Sequence, residues 1–225
     1  TIEAKNTISD NTEIEQLNQR SIYSTPLYTE FLDNKFNIMD TPGADDFIGG
    51  VISSFKVSDA GILVVNAQQG VEVGTEIFVR YAEEHKKPLV VAINQLDAEK
   101  ASYENTVETL KQSFGKKIAL IQFPVATGAG FDSFVDVLRM KLYTFKDENG
   151  TRVESEIPEN LMDQTNELRS ALVEVAAEST EELMEKYFAE GELCFEDMIK
   201  GLHIGFLKGL IMPTFMPFSL AFAIA

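Results

Sequence analysis

Residues 60–65 read Ala60-Gly61-Ile62-Leu63-Val64-Val65, and residues 88–93 read Pro88-Leu89-Val90-Val91-Ala92-Ile93. Both are unbroken apolar runs of strand length, the pattern of strands buried on both faces of a parallel sheet. Between them, 76–84 has helical spacing, with Ile77, Tyr81 and Ala82 on one side, which makes the segment a strand–helix–strand crossover. The unit repeats: a helix over 103–113 leads to a third apolar run at 118–123. That order predicts an α/β fold with a doubly wound, mostly parallel sheet.

Outward from this core the pattern changes on both sides. The first 26 residues are polar, with a short helix expected at 13–18, followed by strands at 27–32 and 36–40 joined through Asp33-Asn34. Beyond the third apolar run, 134–145 is rich in strand formers and Asp147-Glu148-Asn149-Gly150 signals a hairpin. After Pro158 a long helix carries Leu161, Leu168, Leu172 and Val175 on one stripe. Ser179 with Glu182 reads as a capping box opening the next helix, and a last helix at 195–206 feeds a strand at Leu210-Ile211-Met212. The stretch from about 123 to 209 is therefore expected to be an α+β insertion before the last core strand.

The net charge of −17 excludes a free-standing polyanion binder, which needs Lys and Arg to neutralise phosphates, but not docking on a protein-rich ribonucleoprotein. The single cysteine, Cys194 between Leu193 and Phe195, excludes an internal disulfide, fits a reducing cytoplasm and reads as packing. The most apolar stretch, 205–225, is interrupted by Lys208, Pro213 and Pro217, so buried strands are expected there and no membrane span. The two histidines, His85 and His203, lie far from any acid cluster and do not suggest a metal centre.

Two loops carry chemistry. Asp40-Thr41-Pro42-Gly43 follows the strand ending at Met39, and an acid at the carboxyl end of a strand is where open α/β folds place ligands. Asp40 is suited to hold Mg²⁺ against nucleotide phosphates, and Gly43 lets its N–H approach a terminal phosphate. The same four residues also make a tight turn, with Pro42 fixing φ. The second loop, Asn94-Gln95-Leu96-Asp97, again ends an apolar strand. A carboxylate can accept the N1 and N2 hydrogens of guanine while an amide donates to N7, and adenine offers that carboxylate the wrong pattern. An Asx-rich turn is the plain alternative.

Together with Asn6-Thr7-Ile8-Ser9-Asp10, Asp46-Phe47-Ile48-Gly49-Gly50-Val51 and Gln69-Gly70-Val71-Glu72-Val73-Gly74-Thr75-Glu76, these loops resemble elongation factor G, most closely its elongation factor G-like paralogues. Asp132-Ser133-Phe134-Val135-Asp136-Val137 and Leu183-Met184-Glu185-Lys186-Tyr187-Phe188 extend the likeness to about Phe215. The resemblance implies a P-loop NTPase-type GTP-binding domain over 1–215, a cytoplasmic monomer off the ribosome, binding GTP or GDP with Mg²⁺ and working on ribosomal RNA and protein. In that frame 1–26 is the first switch and 40–57 the second. Asp40 holds the metal, Thr41, Pro42 and Gly43 face the phosphates, Asn94 and Asp97 read guanine, and the stem of Gln95 packs on the base.

The departures are specific. No G-x-x-x-x-G-K-[ST] loop occurs, and Gly115-Lys116-Lys117 is the nearest string. The family places that loop just upstream of the first switch, so the chain is expected to begin after it. The first switch has Tyr23 where the family supplies a Thr or Ser hydroxyl to Mg²⁺, with Ser24 or Thr25 as substitutes by a register slip. Ala44 stands where the family has the His that orients water, which leaves no certain catalytic residue and implies slow hydrolysis. Gln95 replaces a Lys. Residues 216–225 are similar to the first strand of the family's following β-barrel domain, which implies a junction lacking its usual connection at 215–218. Three classes of function follow: a ribosomal GTPase, a ribosome factor that acts through bound nucleotide with little hydrolysis, and an interaction domain without nucleotide.

Overall fold

The structure is a computed structural model that describes residues 7–146 and 151–217. They form two compact units, one up to Ala60 and one from Gly61 onward.

The first unit opens with helix α1 (Glu13–Asn18), where the sequence places it. Its N-cap is Thr12, in a reciprocal capping box with Glu15, and its C-cap Gln19 takes the left-handed conformation at φ 51°. An antiparallel hairpin follows, β1 (Thr25–Phe31) with β2 (Asn34–Asp40). The turn is Leu32-Asp33, one residue earlier than expected. Phe31 pairs with Asn34, and the two residues between them have φ 47° and 59°, the left-handed pair a two-residue hairpin needs. Asn34 serves the turn from outside, its Nδ2 donating to the Leu32 carbonyl at 2.7 Å. A short 3-10 turn at Asp45–Phe47 then leads into α2 (Ile48–Val57).

The second unit carries the repeating core: β3 (Gly61–Asn66), α3 (Val73–Glu84), β4 (Leu89–Asn94), α4 (Tyr103–Phe114) and β5 (Ile118–Leu120). The insertion comes next, with β6 (Gln122–Pro124), β7 (Ser133–Asp136), β8 (Lys141–Phe145) and β9 (Arg152–Ser155). Then come α5 (Glu159–Ala177), α6 (Glu181–Glu190), α7 (Phe195–Leu207) and the returning strand β10 (Met212–Phe215). The core sheet is ordered β3-β4-β10-β5 with every pairing parallel, and β6 to β9 form a separate antiparallel sheet. This is the expected α/β architecture, with the α+β segment inserted before the last core strand.

The boundary of that insertion is visible in the hydrogen bonds. The 118–123 run is two strands rather than one, because Ile121 donates to Thr214 of the core while its own carbonyl accepts from Val137 of the insertion. The chain changes sheets at that residue.

Four further expectations shift. β3 is not buried on both faces: among the described residues it is an edge strand, with Leu63 and Val65 inside but Ile62 and Val64 65% and 58% exposed. On α3 the buried positions are Val79 and Ala82, with Ile77 and Tyr81 only half-buried. Thr180, not Ser179, caps α6 by accepting from the Leu183 N–H at 3.3 Å, and counting three residues on from Thr180 reaches Leu183, so no capping box forms. The last strand begins at Met212 because Leu210 belongs to the end of α7: its N–H bonds the Gly205 carbonyl after Gly209 at φ 68°. Asp147-Glu148-Asn149-Gly150, and the barrel-strand reading of 218–225, lie outside the described residues.

Within the insertion, α5 and α7 pack through small residues. A Cβ on Gly201 of α7 would stand 2.5 Å from the Ala176 carbonyl oxygen of α5, so only glycine lets the two helices approach this closely. Cys194 is exposed and not packed; it caps α7, and its thiol donates to Asp197 Oδ2 at 3.2 Å.

Candidate functional site

The two chemically distinctive loops fall on different units: Asp40 to Gly43 on the first, Asn94 to Asp97 on the second. Each ends a strand at its carboxyl side, as the sequence predicts.

On the first unit Asp40 closes the hairpin opposite Thr25 and is half-buried, with no hydrogen bond or ion pair to its carboxylate among the described residues. Pro42 is buried and anchors the turn, whereas Gly43 is exposed and no protein atom stands within 4 Å of a Cβ placed there. No protein neighbour therefore demands glycine at 43. Ala44 leads the 3-10 turn with its carbonyl accepting from Phe47 at 3.0 Å.

The stretch from Thr12 to Tyr23 is organised by one carboxylate. Glu15 is 1% exposed, and it accepts hydrogen bonds from Thr12 Oγ1 (2.6 Å) and the backbone N–H groups of Thr12 (3.3 Å), Ile22 (3.0 Å) and Tyr23 (3.0 Å). Burial alone would raise its pKa, but the hydrogen bonds from the Thr12 side chain and from Tyr23, Ile22 and Thr12 N–H outweigh it and hold the carboxyl below its usual range. Sequence reading gave Glu15 no role; its place in the Thr12-x-x-Glu15 capping box was the signal available. The Tyr23 ring itself is 56% exposed. Of the two substitute hydroxyls, Thr25 is committed to the Ser9 carbonyl at 3.1 Å, while Ser24 Oγ is buried without a partner. Ser24 lines a hollow of about 450 Å³ with Tyr23, Met39, Asp46, Gly50 and Ser54, whose hydroxyl is also buried and unpartnered.

On the second unit, Asn94 is half-buried, its Oδ1 is enclosed, and neither end of its amide has a partner among the described residues. An unpaired buried polar atom costs about 1–3 kcal/mol, so such atoms concentrate where a ligand completes the set. Asp97 is exposed, its carboxylate without a partner among the described residues, and Gln95 between them has φ 61°, a left-handed conformation uncommon for a residue with a side chain. The loop is braced from below, with Gly128 donating to the Leu96 carbonyl at 2.7 Å and Ala98 to the Gln95 carbonyl at 3.2 Å. The loop thus shows an amide and a carboxylate three residues apart. No cluster of three metal-ligating side chains exists among the described residues, so a divalent cation at Asp40 would draw its other ligands from phosphate and water.

Residues 1–218 match the family model described as the elongation factor Tu GTP binding domain. The chain belongs to this family. It is a GTP-binding domain of the translational GTPase type. An elongation factor G-like protein of Thermotoga maritima is 38% identical over 186 residues, 82% of this chain and 26% of that protein. A solved crystal structure of a Thermus thermophilus protein superposes with a TM-score of 0.88 at 28% identity, over 96% of this chain and 32% of that one. The GTP-binding domain thus spans about a quarter to a third of the length of the relatives it matches. No helix among the described residues is long and apolar enough to cross a membrane.

Proposed function

We propose that this GTP-binding domain serves a ribosome-associated translation factor of the elongation factor G type, a cytoplasmic monomer off the ribosome that binds GTP or GDP with Mg²⁺. The observation that carries this reading is the Asn94–Asp97 loop, where an amide and a carboxylate, both without a partner among the described residues, stand at the end of a buried parallel strand. In this assignment the Asp97 carboxylate accepts the two hydrogens on the guanine N1–N2 edge, the Asn94 amide donates to N7, and the Gln95 stem lies along the base. Asp40 holds the cation, usually through water, with Thr41 and Pro42 shaping the turn and Gly43 offering its N–H to the terminal phosphate.

Two features favour a second reading, a factor that acts through the bound state. Ala44 has no side-chain donor or acceptor to orient water, and Tyr23 has its N–H committed to Glu15 while its ring points to solvent. GTP turnover by the intact protein, with and without ribosomes at matched nucleotide occupancy, separates the two. Strong stimulation by ribosomes supports the hydrolytic factor with water positioned by another group. Tight GTP binding with unstimulated turnover supports the second reading, and absence of GTP binding contradicts both.

A further inference from the structure

Asn66 ends β3 directly beside Asn94 in the parallel ladder, where the Ala67 N–H donates to the Asn94 carbonyl at 2.9 Å. Its amide has only one orientation. Asn66 Oδ1 accepts from the backbone N–H of Gln68 at 2.8 Å, and because an N–H can only donate, the amide oxygen must lie on that side. Asn66 Nδ2 therefore faces the other way, where it donates to Gln95 Oε1 at 2.7 Å. That bond fixes a second amide in turn. With Oε1 taken, the end of Gln95 left outward is its NH₂, which has no partner among the described residues.

The base of this relay is rigid. The Ala67 carbonyl accepts from Ser102 N–H at 2.9 Å and from Thr106 Oγ1 at 3.2 Å, tying the end of β3 to the start of α4. The far end is held too, by the left-handed backbone of Gln95. A Gln side chain free in solvent gives up rotamer freedom when tethered, so a tether to a residue 29 positions away marks a fixed pose.

We infer that Asn66 is a positioning residue of the nucleobase site: through Gln68 N–H, Asn66 and Gln95 it makes residue 95 present a neutral N–H donor beside Asn94 and Asp97. This rests on the guanine reading of that loop. Lying between Asn94 and Asp97, which face the base in that reading, the donor is placed for an acceptor atom of the nucleoside.

The test is the dissociation constant of a fluorescent GDP analogue for the intact protein and its variants, with melting temperatures beside it. Asn66→Ala removes the tether. Asn66→Asp still accepts from Gln68 but cannot donate, so the Gln95 amide turns over, gives its NH₂ to the carboxylate and shows its carbonyl outward. The expected result is that Asn66→Ala and Gln95→Ala each weaken GDP by about five-fold, the worth of one ordinary neutral hydrogen bond, and that the double variant is no weaker than the weaker single. Asn66→Asp is expected to keep its melting temperature and still lose at least as much, and to lose nothing further in the Gln95→Ala background, which separates amide reversal from the added charge. Unchanged affinity in Asn66→Ala and Asn66→Asp overturns the inference, as do losses that multiply in the double variant, since a general loosening of β3 against β4 acts without Gln95. Failure of the unaltered protein to prefer GDP over ADP instead overturns the guanine reading beneath it.

Discussion

The proposed weakness of hydrolysis turns on Ala44. Its backbone opens a 3-10 turn, and its methyl group offers a water neither donor nor acceptor. An imidazole there would add a general base or water-orienting group, worth typically about 10²–10⁴-fold where geometry is right. Ala44→His is therefore expected to raise ribosome-stimulated GTP turnover by at least about ten-fold, measured as phosphate release at saturating GTP. No change in turnover would mean that water is positioned elsewhere and that residue 44 does not limit hydrolysis. At the same scale the sequence showed Asp40 and Asn94 at strand ends, with Asp97 in the loop beyond, because strand ends and Asx residues are local signals. It could not make Asn66 legible: its partner Gln95 is 29 residues away, brought beside it by the β3–β4 register.

At the scale of elements, the arm from Thr12 to Tyr23 depends on Glu15. Its folded pKa lies below the unfolded value, so the ionised form stabilises the fold at neutral pH. That contribution is fully present above the unfolded pKa and is lost as pH falls through the folded one. Glu15→Gln keeps the shape but removes the charge that four donors share, and is expected to cost about 1.5–3 kcal/mol, the range for hydrogen bonds to a charged group. Chemical denaturation from about pH 7 down to about pH 3 checks this: the difference between unaltered protein and Glu15→Gln should shrink as pH falls. A constant difference would mean that the carboxylate's charge is not what holds the arm. The same local logic explains which elements were legible. Helices 13–18 and 103–113 and the crossover between the two apolar runs carry their own periodicity and caps. The edge position of β3, the Leu32-Asp33 turn and the start of the last strand at Met212 are set by pairing partners and by the closing of α7, which no short window contains.

For the whole molecule, the core sheet orders four parallel strands with the insertion entering at Ile121 and leaving at β10, and this places the Asn94 loop on a buried strand between β3 and β10. That placement holds the loop's strand from both sides. The central claim is that this loop reads guanine, and the most direct test is the affinity of the intact protein for GDP against ADP, repeated in Asp97→Asn. A preference for GDP of at least about 10²-fold is expected in the unaltered protein. Asp97→Asn should abolish it, because an amide cannot accept both hydrogens of the N1–N2 edge and two charge-assisted hydrogen bonds are lost. Equal affinity for the two nucleotides, or a GDP preference that survives Asp97→Asn, would contradict it.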